Sequence, residues 1–154
     1  MLGVQPIFPQ LPSNFDHTGK GFIPAVSQSF VLLELFAGLL PASVVLSELG
    51  LSPEATYYAE TNPDALEVAY KQFPQAVALG DVRDVSQSAL HSLVSQHRHS
   101  KWIVLGGPPC TDVSLLKSQR TGAFGESSVL REEFGRIFNH LHVLTSGNVW
   151  ALME

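Results

Sequence analysis

Apolar residues along this chain fall into short continuous runs separated by stretches with helical spacing. "FVLLELF" (Phe30–Phe36) is apolar but for one glutamate, the pattern of a strand buried on both faces. "PASVVLSELG" follows, with Pro41 suited to a first helical turn, Val44, Val45 and Leu49 at helical spacing, and Gly50 as a stop. A short strand, "ATYYAE" (Ala55–Glu60), leads into "NPDALEVAYKQF". There Asn62 is the expected N-cap, Ala65, Leu66, Ala69, Tyr70 and Phe73 share one face, and Pro74 ends the helix. "QAVALGD" reads as strand, "SQSALHSLVSQH" as a helix with Ala89, Leu90, Leu93 and Val94 inward, and "KWIVLGG" as another buried strand. After the loop "KSQRTGAFGE", a long helix is expected from about Ser127 to Ser146 on the stripe Leu130, Phe134, Ile137, Phe138, Leu141 and Leu144. "VWALME" reads as a last strand.

Five strands alternating with four helices imply an α/β, Rossmann-like domain, with a mostly parallel sheet, right-handed crossovers and helices on both faces. Residues 1–28, interrupted by Pro6, Pro9, Pro12 and Pro24, are expected to be an arm or linker before a domain at 29–154. A net charge of −5 weighs against the whole chain being a basic clamp on phosphates. A single cysteine cannot form an internal disulfide, which favours a reducing compartment. With no basic leader and no apolar run of membrane length, a soluble intracellular protein without a membrane partner is expected.

In sheets of this kind, small molecules bind beyond the carboxyl ends of the strands. Four candidates fall there. Gly38, in "ELFAGLLPAS", permits a tight turn after the first strand. Glu60 ends the second, at roughly the 20-residue distance from that turn where an acidic side chain meets a ribose. Asp81 ends the third, in "GDVRDV", and Cys110 follows the fourth, in the rigid "GGPPCTDVS". Each has an ordinary reading: Glu60 as a helix cap, Asp81 as a turn residue, Cys110 as a small buried hydrophobe. Their coincidence on one rim favours a nucleoside-containing cofactor beside a reactive thiol. Gly38 is followed by Leu39, Leu40 and Pro41 instead of the glycines of a dinucleotide fingerprint. Little room remains for two phosphates, so S-adenosyl-L-methionine fits better than NAD.

"LFAG" after the first strand, an acidic residue ending the second, "GD" ending the third, "GGPPC" after the fourth and "LME" ending the fifth resemble cytosine-5 DNA methyltransferases in order and spacing. The resemblance covers about Phe30 to Glu154, and "GDVRDV" with "GAFGESSVLREEFGRI" is most similar to the de novo branch. It implies an S-adenosylmethionine-dependent methyltransferase fold and methylation of a cytosine flipped out of DNA. By the same resemblance Cys110 is the nucleophile and Glu154 the acid that holds cytosine N3. Phe36, Ala37, Gly38, Leu39, Val82, Gly107 and Pro109 would line the cofactor, with Glu60 on the ribose and Asp81 on the adenine.

The departures are Thr111, where the family has Gln or Asn, and Leu40, where many members have a second glycine. The family continues beyond Glu154 with Asn-Val, so the resemblance implies the N-terminal half of a catalytic domain, truncated after the fifth strand and inactive alone. Arg131 and Glu132 stand where de novo relatives pair through aromatic residues, so oligomerisation through that helix is not expected. Residence would be nuclear in a eukaryote and cytoplasmic otherwise. The competing readings are a transfer-RNA cytosine-5 methyltransferase, a non-catalytic regulatory homologue and a cysteine hydrolase. Intact Cys110 and Glu154 count against the second, and no histidine is evidently paired with Cys110 for the third. No metal site is expected. His97 and His99 sit at a helix end, and His140 and His142, two apart, share no helix face, so all read as solvated surface.

Overall fold

The computed structural model describes residues 29–109 and 126–154. Strand β1 (Phe30–Leu35) lies at the centre of a five-stranded sheet, flanked by β2 (Ala55–Ala59) and β4 (Lys101–Gly106). β3 (Val77–Ala78) lies outside β2 and β5 (Val149–Met153) outside β4, giving the order β3-β2-β1-β4-β5. Every pairing is parallel, so the mostly parallel sheet expected from the sequence is wholly parallel. Strand order reverses between β1 and β4, which opens a crevice beyond their carboxyl ends.

Alternation along the strands sorts side chains onto two faces. Val31, Leu33 and Leu35 of β1, Tyr57 and Ala59 of β2, and Trp102 and Val104 of β4 join one core. Helices α3 (Gln87–Gln96) and α4 (Glu126–Leu144) close it with Leu90, Phe134, Ile137 and Leu141. On the other face, Tyr58 packs with Leu40, Ala37 and Ala69, the last from α2 (Pro63–Gln72). Asn62 caps α2 as expected, its side chain accepting from the Asp64 and Ala65 N–H groups.

Helix α1 (Pro41–Glu48) departs from the expected orientation. Val44, Val45 and Leu49 are 41%, 56% and 52% exposed, and the buried side chain is Ser43. Buried Glu34 of β1 sets this rotation, accepting from the Ala42 N–H at 3.0 Å, the Ser43 N–H at 2.9 Å and the Ser43 hydroxyl at 2.6 Å. A carboxylate in a core must be fully hydrogen-bonded, and this requirement outweighs the valines' preference for the interior. Tyr70 and Ala89 also face outward. β3 is shorter than the strand expected, because Gly80 turns the chain at φ 78° into a 3-10 turn at Val82–Asp84.

At the opposite pole a polar clasp joins four segments. Glu54, just before β2, accepts from the hydroxyls of Ser29 and Ser100 and meets His97 Nδ1 at 2.6 Å. His97 Nε2 in turn lies 2.9 Å from the Tyr57 hydroxyl. The His97 side chain is only 12% exposed, which corrects its expected place on the solvated surface. Hydrogen bonds from Ser100, Ser29 and His97 hold the Glu54 carboxyl at about 2, against an ordinary 4.5. A depressed carboxyl pKa stabilises the fold above the unfolded value, and that contribution vanishes as the pH falls from about 4.5 toward 2. Glu54 is 37% exposed, so solvent keeps the effect modest. Over that pH window, Glu54→Gln is expected to flatten the acid loss of stability followed by denaturant titration. Equal slopes for the two proteins would contradict the clasp's role.

Candidate active site

The loop from β1 to α1 is built under strain. Phe36, Gly38 and Leu40 all adopt left-handed backbone, with φ of 56°, 51° and 58°. For the two non-glycine residues this costs about 1–3 kcal/mol each. The surrounding structure enforces it. The Ala37 N–H donates to Ala59 O at 3.1 Å, the Leu40 N–H donates to Ala37 O at 2.9 Å, and the Leu40 side chain is wholly buried. Leu40 thus adopts, with a side chain, the conformation that glycine takes without strain.

Glu60, following β2, fixes the other side of this loop. Its Oε2 accepts the Gly38 N–H at 2.7 Å, while Oε1 accepts those of Thr61 and Asn62, both at 2.8 Å. A carboxylate offers about four acceptor sites, so among the described residues one remains, on the oxygen facing Gly38. Glu60 thus holds the entry to α2 and also lines a cleft beyond the strand ends.

Asp81 caps the 3-10 turn by accepting the Arg83 N–H at 2.9 Å. The Arg83 guanidinium also spans both its oxygens, with Nη2 at 2.5 Å from Oδ2. These bonds hold the Asp81 carboxyl below its usual range. Phe36, Glu60, Asp81, Val82, Gly107 and Pro109 then line one cleft of about 270 Å³ beyond the strand ends.

A second cleft, of about 170 Å³, opens at the β1–β4 crevice and shares Phe36 and Gly107 with the first. Ala37 and Glu154 line it. The Glu154 N–H donates to Gly106 O at 3.1 Å, and Glu154 Cβ lies 3.9 Å from where a side chain at Gly107 would begin. Glu154 therefore stands beside the turn that leads into Cys110, while Cys110 itself lies outside the described residues. Gly38 reaches the site through its N–H to Glu60. Leu39, exposed, lines neither cleft and is not brought into the site.

Glu34 and Arg136 are the important residues that the sequence reading missed. The signal for Glu34 was present, since a lone carboxylate inside a buried strand needs donors. Arg136 gave only its i,i+3 spacing from Glu133, because its other partners are backbone carbonyls more than 50 residues away. Among the described residues no cluster of three metal-ligating side chains occurs, and no helix is long and apolar enough to cross a membrane.

Gly106 is where β4 passes closest to β1. A Cβ there would lie 2.7 Å from Leu35 O and 3.1 Å from Phe134 Cε2. The first neighbour is backbone and cannot yield. Gly106→Ala is expected to cost about 1–3 kcal/mol, read as a lower denaturant midpoint, where an ordinary surface glycine would show almost nothing.

No family model matches the chain. Among solved structures, a protein described as a DNA modification methyltransferase encoded within an E. coli prophage aligns over 74% of this chain at a TM-score of 0.57 and 19% identity. The chain spans only 30% of that protein's length. A triple mutant of Spodoptera frugiperda DNMT2 aligns over 74% of the chain and 42% of its own, at 15% identity and TM-score 0.46. S. pombe Dnmt2 methyltransferase aligns over 71% and 40%, at 12% identity and TM-score 0.44. The fold assignment rests on the first of these: the chain has the Rossmann-like fold of a methyltransferase.

Proposed function

We propose that this chain carries the cofactor-binding half of an S-adenosylmethionine-dependent methyltransferase that acts on C5 of cytosine in DNA. The observation that carries the reading is the 270 Å³ cleft, where Glu60 and Asp81 flank a space walled by Phe36, Val82, Gly107 and Pro109. Two carboxylates at one rim repel a diphosphate and suit a nucleoside whose hydroxyls and amino group donate hydrogen bonds. The one guanidinium among the cleft residues, that of Arg83, is already engaged with Asp81. The residues present therefore fit S-adenosylmethionine, which supplies an electrophilic methyl group when bound. Glu60 would accept from the ribose through its remaining acceptor site, and Asp81 would accept from the adenine amino group in exchange for one of its Arg83 guanidinium contacts. Phe36 would separate the nucleoside from the reacting cytosine, since it lines both clefts.

The second cleft would receive the flipped base. In this reading the Cys110 thiolate would add to cytosine C6, and C5 would then carry the electron pair that takes the methyl group as S-adenosylhomocysteine departs. Loss of the C5 proton and departure of the thiolate restore the ring. Glu154, beside Gly107, would hold N3 as a proton donor and make C6 more electrophilic. Pro108 and Pro109 restrict the backbone that leads into Cys110.

Duplex DNA containing 5-fluorocytosine cannot lose a C5 proton and so traps the covalent adduct. Incubated with this DNA and S-adenosylmethionine, the full-length protein is expected to form a denaturation-resistant complex that Cys110→Ser lacks. A complex that survives this substitution would overturn the role of Cys110. Glu60→Ala is expected to raise the KM for S-adenosylmethionine about tenfold or more through loss of the ribose acceptor, measured by tritiated-methyl transfer.

A further inference from the structure

Helix α4 does more than close the core. Its Leu130 lines the nucleoside cleft, and six residues further along it Arg136 reaches the turn on the cleft's other side. Arg136 Nη1 donates to Val85 O at 2.9 Å and Nη2 to Val82 O at 3.2 Å. Glu133, one helical turn earlier, holds the guanidinium in place, accepting from Nε at 2.7 Å and pairing with Nη2 at 2.6 Å. The bound turn is short and weakly self-supporting. Its own backbone bonds are Asp84 N–H to Asp81 O at 3.0 Å and Val85 N–H to Val82 O at 3.3 Å. Val82 O therefore serves two donors, one from the turn and one from α4. The residues this turn presents to the cleft are Asp81 and Val82.

We propose that Arg136 is a positioning residue for cofactor binding: it fixes the Asp81–Val82 turn against α4 and so sets the width of the adenine end of the cleft. This rests on the methyltransferase reading above. The guanidinium suits the task because its planar fork reaches two carbonyls and one carboxylate at once, a geometry lysine cannot reproduce. Arg136 lines neither cleft, so it acts only through the turn. Because α4 also begins just after the segment carrying Cys110, one helix gauges the nucleoside end while following directly on the nucleophile's segment.

Calorimetric binding of S-adenosylhomocysteine to the full-length protein tests this. Arg136→Gln is expected to raise the Kd about tenfold, the loss expected when charge-assisted bonds behind a site are removed, with Arg136→Lys intermediate. At saturating S-adenosylmethionine, kcat should stay within about twofold, placing the effect in KM. Asp81→Asn combined with Arg136→Gln should cost less than the product of the two single effects, because both act through one turn. A general loss of packing would not produce that non-additivity. If Arg136→Gln fails to fold, Arg136→Lys, which keeps the charge, and Glu133→Gln, which keeps the fork, carry the same test. An unchanged Kd, or fully multiplicative single effects, overturns the positioning role alone. An unsubstituted protein that does not bind S-adenosylhomocysteine overturns the methyltransferase reading and this role with it.

Discussion

The close passage of β4 beside β1, possible only because Gly106 has no side chain, governs the whole rim. Leu35 pairs with Gly106 in register, and both chains leave the sheet at that level. From there β1 turns into the strained loop and β4 into Gly107-Pro108-Pro109. Both clefts are lined from these two exits. A wider spacing would separate Phe36 from Gly107, and the wall that divides the clefts would have nothing to face.

Three carboxylates then turn a strand arrangement into a site, each by accepting backbone N–H groups. Glu34 holds the start of α1, Glu60 joins the first loop to the second, and Asp81 caps the turn after β3. Such bonds are short-ranged and directional, which lets them hold a loop with left-handed residues that would otherwise relax. Two of the three, Glu60 and Asp81, also line the larger cleft, so the groups that shape the rim face open space as well. Arg136 supplies the complementary device, a cation donating to carbonyls where the loops offer only acceptors.

Much of this was legible in the sequence, because the informative residues act locally or with a period. The buried strands β1 and β4 announced themselves as apolar runs, and the stripe of α4 buried Phe134, Ile137 and Leu141 as its spacing implies. The cap Asn62, the turn position of Asp81 and the rim position of Glu60 followed from residue type and order. What stayed hidden depends on contacts distant in sequence. The rotation of α1 is decided by a carboxylate on β1 and not by the helix's own valines. His97 leaves the surface because Glu54 and Tyr57, both far away in sequence, take its two nitrogens. β3 stops at Ala78, short of the strand expected, because Gly80 turns the chain there. Leu39, read as a cofactor wall from its place in the motif, points outward once Leu40 beside it takes the core.

The bond from the Gly38 amide to Glu60 has a spectroscopic consequence. Its acceptor oxygen is the one with a site still free, so any hydroxyl that binds there shares electron density with the Gly38 proton. The amide resonance of Gly38 is thereby a reporter built into the backbone. Under the proposed methyltransferase reading it would register occupancy of the ribose position through one intervening oxygen, without a label and without contact between the glycine and the ligand.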